Sequence, residues 1–483
     1  MDKRKGSRKP LMTTIFGTVV SLLLASCSGG GAPAGLPAAS SGTNVGTDQH
    51  PWPRSTASSA PSTKPSSTPI AKAPAATPTP VPAAAPLHVQ DFAFYAEDDV
   101  NTNVPASFMA ANVDIVEGED DLTFPASRAF KAAGGKTAIA YTDPSLVPYC
   151  AAPVTEPAGA CDTPMGRLLT NVPSAFLHDS TGARINDYVD SHFLYQEMLN
   201  PASPAARSAY AQYVAGIRAA QPQLDGVFAD DSGDSLADDF YGMSAPASVE
   251  ITTDAQWQAA MNGMLAAPGV NVIYNGGAVN SGAGPAYADG EFINQPEVIG
   301  QMIEGCFAAN GALRTDLYSR FQYDADQNLN VHAYHKLAIC MPTGALAPAG
   351  RLYVYAGFML TYDPQYSVYG MDTVLSDGYA VYPETQLVPQ QPLKSASSDV
   401  GTLRNGNVYV REFASCAIAS SSIGGCVALV NSSASSATIP ALTQSYAHSI
   451  VLDSQSLYGG GKAHVVAGTP SSLAPGSAAI LVR

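Results

Sequence analysis

Charge is scarce in this chain. Only 13% of its 483 residues are Asp, Glu, Lys or Arg, and 24 Lys+Arg face 40 Asp+Glu, for a formal charge of −16. Lys3, Arg4, Lys5, Arg8 and Lys9 stand with Asp2 in the first nine residues, so without that stretch the charge is −20. A surface so poor in cations cannot neutralise phosphates, which excludes nucleic acid as a partner. The common reactive signatures are missing too. There is no GxSxG serine elbow, no phosphate loop, and no GxGxxG after a first strand. No CxxC pair occurs, which argues against a zinc ribbon or a thioredoxin-type site. Asp230, Ser232 and Asp234 have the alternate spacing of a calcium loop, but no glycine and distal glutamate complete it. His332 and His335 do not form an HExxH pair. Neither metal nor cofactor is expected.

At the N-terminus the bases precede an apolar run, "LMTTIFGTVVSLLLA" (11–25), and then "SCSGGG". That is a secretory layout, too short for a comfortable membrane span. Leu24-Ala25-Ser26-Cys27 resembles a bacterial lipobox. The resemblance implies a signal peptide over 1–26, a lipid anchor on Cys27 and an extracytoplasmic address in the cell envelope. With Ser28 following, it also implies the outer membrane if the source is a diderm bacterium. The alternative is an ordinary signal peptide with a chance cysteine. The six remaining cysteines are an even number, suited to disulfides in an oxidising compartment. Near neighbours are the expected pairs: Cys150 with Cys161, and Cys416 with Cys426 across the turn-rich "AIASSSIGG". Closing such loops stabilises by about 3 kcal/mol each.

Residues 27–86 are mostly Pro, Ala, Ser, Thr and Gly with no periodic apolar face, a composition that cannot offset the entropy of ordering. They are expected to form a tether. From 87 to 385 strand-like and helix-like stretches alternate. The strands are "FAFYA" (92–96), "VDIV" (113–116), "KTAIAYTD" (136–143), "GVFAD" (226–230), "VNVIYN" (270–275), "VIGQMIEGCF" (298–307), "HKLAICM" (335–341) and a last one near "YAVYP" (379–383). Their apolar runs lack strict alternation, as in parallel strands covered on both faces. In "SPAARSAYAQYVAGIRAA" (203–220) Ser203 is placed to cap a helix and Pro204 to start it. Eight strands with intervening helices predict an α/β fold, a (β/α)8 barrel, with a doubly wound open sheet as the alternative that the missing GxGxxG disfavours. Cys306 and Cys340 then follow consecutive strands and form the third expected disulfide. From 386 to 483, short runs separated by Gly, Ser, Pro and Asn predict an all-β sandwich domain.

The chemistry gathers where strands end. "LDGVFADDSGD" (224–234) carries Asp225, Asp230, Asp231 and Asp234 around one apolar strand, and three predicted strands end in Asp230, Asn275 and Glu304. In a barrel those ends share the face that carries active sites. Two carboxyls across such a mouth suit glycosidic hydrolysis, where one protonates the leaving oxygen and the other attacks carbon or activates water. Glu304 lies in an otherwise apolar run, where a carboxylate is costly unless it faces a polar cleft. A strand register shifted by one residue would put Asp231 in place of Asp230. Tyr95, Asp179, Tyr274 and Asn275 are further candidates for stacking on or hydrogen-bonding a sugar, with Asp231 beside them.

"DGVFAD", "YN" and "EG" in this order resemble TIM-barrel glycoside hydrolases related to the dextranase and endo-polygalactosaminidase families. By that resemblance Asp230, closing the fourth strand, is the nucleophile, and Glu304, closing the sixth, is the general acid/base. The resemblance covers roughly 90–483; the expected substrate is a polysaccharide or oligosaccharide, and a monomer is expected. An inverting hydrolase and a non-catalytic carbohydrate-binding envelope lipoprotein are the alternatives.

Overall fold

The computed structural model describes residues 87–95, 101, 103–118, 125–150, 163–187, 195–233, 248–276, 293–315, 320–372, 379, 381–395 and 399–483. The signal segment, the tether, Cys27, Cys161, Asp234 and the side chain of Cys150 lie outside the described residues.

Eight short strands make the centre. They are β1 (Gln90–Phe94), β2 (Ile115–Gly118), β3 (Thr137–Thr142), β4 (Gly226–Ala229), β5 (Asn271–Asn275), β6 (Val298–Glu304), β7 (Leu337–Met341) and β8 (Ser367–Gly370). Each pairs in parallel with its neighbour in the chain, and β8 pairs with β1, so the sheet closes into a barrel without edges. Every strand sends at least one apolar side chain into the interior: Phe92, Ile115, Ile139, Phe228, Ile273, Met302, Ile339 and Val368, with Met341 also buried there. Alternate residues face outward, where Val116, Ala138, Ala140, Val227, Val272 and Tyr274 pack in a separate cluster with helix residues. Burial on both faces is why these strands read as unbroken apolar runs.

The outer layer includes α1 (Ala106–Asn112), α2 (Pro125–Ala132), α3 (Pro204–Ala220), α4 (Asp254–Ala266), α5 (Arg320–Ala333) and α6 (Pro348–Thr361). In α3 the buried residues Ala206, Ala209, Tyr210, Tyr213, Val214 and Ile217 recur at the three- and four-residue spacing of one helical face. Pro204 opens this helix as expected. Ser203 occupies the cap position, but its side chain makes no capping hydrogen bond. Between β3 and α3 the chain leaves the barrel in an excursion that contains a small antiparallel sheet of 146–150, 186–187 and 195–198.

The last strand is not "YAVYP". It is Ser367–Gly370, reached from α6 through a turn in which the Asp363 carbonyl accepts from the Ser367 N–H at 2.9 Å. Val381 and Tyr382 are buried, yet they belong to no strand. The Val381 carbonyl accepts from the Leu457 N–H instead. Their apolar character reflects packing rather than ladder pairing.

C-terminal to the barrel, β9 (Leu387–Pro392), β10 (Val408–Ile418), β11 (Ser421–Asn431), β12 (His448–Leu452), β13 (Ala463–Ala467) and β14 (Ser477–Val482) form an antiparallel sheet in the order β9-β10-β11-β14-β12-β13. Alternation along β11 sends Cys426, Ala428 and Val430 into a core shared with Tyr353, Phe358 and Met359 of α6. Val427 and Leu429 face the other way, toward Ala437 and Leu473 of a short two-stranded pair. Polar groups join the module to α6. Arg411 of β10 donates to the carbonyls of Met359, Leu360 and Tyr362, satisfying the open end of the helix. Arg351, fully buried, pairs with Glu384 at 2.8 Å and donates to the Asp453 carbonyl. Two of the expected disulfides are present, Cys306–Cys340 with Cα atoms 5.3 Å apart and Cys416–Cys426 with 5.9 Å.

Candidate active site

Side-chain alternation builds the site. Two residues beyond the interior layer, on the same side of their strands, come Glu117, Tyr141, Asp230, Asn275 and Glu304. These residues form the polar layer at the C-terminal mouth, above an apolar floor. Asp230 shares its direction with Phe228. Asp231 has left the strand, with φ at 44°. The alternation therefore assigns the inward carboxylate to Asp230.

The strand ends are stitched together. The Asp230 N–H donates to the Thr142 carbonyl at 2.8 Å, and the Ser232 N–H donates to the Asn275 carbonyl at 2.8 Å. Next to Asn275, Gly276 has φ at 146°, and a Cβ there would stand 2.3 Å from the Ser232 backbone. Only glycine permits that approach. So the backbone fixes Asn275 against Asp230 before any side-chain contact is made.

Asn275 then links the two acids. Its Nδ2 donates to Asp230 Oδ1 at 2.8 Å and to Glu304 Oε2 at 2.8 Å. Both oxygens lie that far from one nitrogen, so they are at most twice that distance, 5.6 Å, apart. The other Asp230 oxygen, Oδ2, accepts from the Tyr141 hydroxyl at 2.9 Å.

Burial pushes both carboxyl groups up, but unequally. For Asp230 desolvation is opposed by three donors, Asn275, Tyr141 and the Asp231 N–H, leaving a raised but restrained pKa. Glu304 has the Asn275 donor and feels the charges of Asp230 and Asp372, so with desolvation its pKa rises to about 7. The environment thus separates the two acids in the direction that acid–nucleophile chemistry requires. Asp143, at the end of β3, is a third buried carboxyl. Burial first, and then the Asp230 charge, push it well above the usual range, although its Oδ1 accepts from the Ser145 N–H, the Ser145 hydroxyl and the Leu146 N–H.

Three of the other expected site residues are placed elsewhere. Tyr274 points the opposite way from Asn275 and is fully buried in the outer cluster with the helices. Tyr95 belongs to the same cluster, its hydroxyl donating to the Val104 carbonyl at 3.0 Å. Neither lines the mouth. Asp179 holds its own turn, accepting from the Thr181 N–H, the Thr181 hydroxyl and the Ala183 N–H. Asp231 stays next to Asp230 through its N–H. Asp225 sits at the other end of β4, paired with Lys131 at 2.9 Å and accepting from the Ala138 N–H. A cleft of about 420 Å³ opens among strand starts there, lined by residues including Gln90, Asp114, Lys136 and Leu337, and is remote from Asp230 and Glu304. Tyr141 and Asp143 went unread in the sequence, although "KTAIAYTD" ends in them as "GVFAD" ends in Asp230.

Solved structures resemble parts of the chain at low identity and low TM-score. The glycoside hydrolase domain of PelA from Pseudomonas aeruginosa is 15% identical over 59% of this chain and 95% of that one, with a TM-score of 0.36. Ega3 of Aspergillus fumigatus, solved in complex with galactosamine, is 14% identical over 61% and 95%, TM-score 0.36. The α-glucosyl transfer enzyme XgtA is 11% identical over 82% and 99%, TM-score 0.43. No curated protein matches. The family model for hypothetical glycosyl hydrolase family 15 matches residues 141–417, more than half of the chain and a span that holds Tyr141, Asp230, Asn275 and Glu304. By that match the chain belongs to hypothetical glycosyl hydrolase family 15, and it is a glycoside hydrolase by membership.

Proposed function

We propose that the chain is an exported, lipid-anchored hydrolase that cleaves a polysaccharide with retention of anomeric configuration, Asp230 attacking and Glu304 passing the proton. The observation that carries this reading is the shared Asn275 nitrogen, which keeps the facing carboxyl oxygens within 5.6 Å. Retaining enzymes hold their carboxyl groups about 5–5.5 Å apart, whereas inverting ones leave about 6.5–9.5 Å for a water.

The electrostatics fit both steps. While Asp230 is ionised its charge helps keep the proton on Glu304, which then protonates the leaving oxygen. Once Asp230 is esterified that charge is gone, so Glu304, having passed its proton to the leaving oxygen, stays ionised and can take a proton from the incoming water.

The test is a polysaccharide panel, with reducing ends as the readout and the anomer of the first-formed product followed by NMR. Retention is expected, and inversion would overturn the two-step mechanism. The anchor has its own test, resting on Leu24-Ala25-Ser26-Cys27. Cys27→Ser is expected to abolish fatty-acid labelling and to release the protein from membranes. Unchanged labelling and fractionation would remove the anchor from the proposal.

A further inference from the structure

Tyr141 is the one side chain besides Asn275 that the structure places in a hydrogen bond with a carboxyl oxygen of Asp230 among the described residues. Asn275 serves both acids, while the Tyr141 hydroxyl is aimed at Asp230 Oδ2. We propose that Tyr141 is a catalytic residue for the second half of the reaction, the group that makes Asp230 a good leaving group from the glycosyl ester. This rests on the retaining reading above.

Geometry assigns the two oxygens of Asp230. Oδ1 shares the Asn275 nitrogen with Glu304, so it faces the space where a glycosidic bond would lie between the acids. Oδ1 attacks the anomeric carbon as the bond from that carbon to the leaving oxygen breaks. The leaving oxygen keeps the bonding pair and takes the Glu304 proton. Oδ2 becomes the ester carbonyl, with Tyr141 still on it. In the second step water bonds to the anomeric carbon, its proton goes to Glu304, and Oδ1 departs with the pair. Negative charge then returns to the Asp230 carboxylate.

A hydroxyl donates more strongly to a carboxylate than to a neutral ester carbonyl. Tyr141 therefore stabilises Asp230 before attack and after release, and stabilises the ester between them less. It tempers the first step and speeds the second. The phenol remains a donor because burial, together with the charges of Asp230, Asp143 and Asp231, holds its proton on. Its ring is fixed, tilted against Phe228 with centroids 6.2 Å apart in the interior layer. Register adds to this, since Tyr141 pairs with Phe228 across β3 and β4, two residues before Asp230.

The experiment uses Tyr141→Phe in the full chain with a panel of 2,4-dinitrophenyl glycosides, whose easy departure makes the second step limiting. With the sugar that turns over, kcat is expected to fall about 10- to 100-fold, the scale of one charged hydrogen bond. KM should fall with it and kcat/KM should stay within about threefold, because kcat/KM reports the first step. Intact-protein mass should show the glycosyl ester accumulating in the variant during turnover. Unchanged kcat, or a kcat/KM that falls along with kcat, overturns the role of Tyr141. Asp230→Asn separates the two levels. If it is inactive while Tyr141→Phe is normal, this inference alone fails. If Asp230→Asn stays active, or the unaltered chain cleaves nothing in this panel or among polysaccharides, the retaining reading fails and takes this one with it. Melting curves for each variant exclude a folding defect as the cause.

Discussion

Asp230→Asn is expected to lower kcat about 10,000-fold on any verified substrate, the scale seen when a reacting group is removed from an otherwise intact site. The substitution keeps shape and volume. Its amide oxygen still accepts from Asn275, and Tyr141 can turn its hydroxyl to accept from the new amide nitrogen. The fold should therefore survive, and a melting curve checks it. What disappears is the electron pair that attacks carbon. Asp231→Asn makes the contrast. That residue sits at φ 44°, a conformation asparagine tolerates, and it meets Asp230 through its backbone N–H, which asparagine retains. It should cost far less. If Asp231→Asn proves the more damaging change, the wrong aspartate has been assigned as nucleophile. If neither matters, the reading of this mouth as a hydrolytic site fails.

Glu304→Gln has the second largest effect, and it depends on the leaving group. Natural sugar alkoxides need a proton as they depart, so their turnover should drop about 100- to 10,000-fold. Aryl glycosides with acidic phenols need little help, and their first step should be nearly unchanged. The pH profile carries a further signature. Glu304 titrates near 7, protonated and competent below, ionised and unable to donate above. In the unaltered enzyme kcat/KM should fall as pH rises through about 7, and in Glu304→Gln that limb should vanish. The acid limb should persist in both, because it belongs to Asp230, which must lose its proton to attack. A basic limb that survives the substitution would assign the proton donor to another group.

Much of the barrel was legible, because each of its first seven strands is an apolar run bounded by turn residues. The eighth was misplaced for a physical reason. Ser367–Gly370 is only four residues long and follows directly on a helix and a turn, while Val381 and Tyr382 are buried by packing alone. Apolarity reports burial, and hydrogen-bond pairing leaves no separate trace in it. The acids were legible because a carboxylate at the end of an apolar strand needs an explanation. The tyrosines were not. Tyr95 and Tyr274 carry the same side chain as Tyr141, and what separates them is one step of strand alternation. That phase is set by the interior layer of Phe92, Ile139 and Ile273, which no motif marks. Distant connections were equally silent. Nothing near Arg411 in sequence says that it closes the end of α6.

The pairing of β1 with β8 also sets an order for the birth of the molecule. Gln90 meets Val368, a contact between the beginning and the end of the barrel. While the chain is being made, β1 has one of its two neighbours, β2, and an open edge on the other side until β8 has emerged. Asp230 and Asn275 are made before Glu304, yet the cleft between them has no closed wall until residue 370 is in place. A chain ending short of β8 would carry the complete acid pair on an unclosed sheet, prone to pair with other chains rather than to cut sugar.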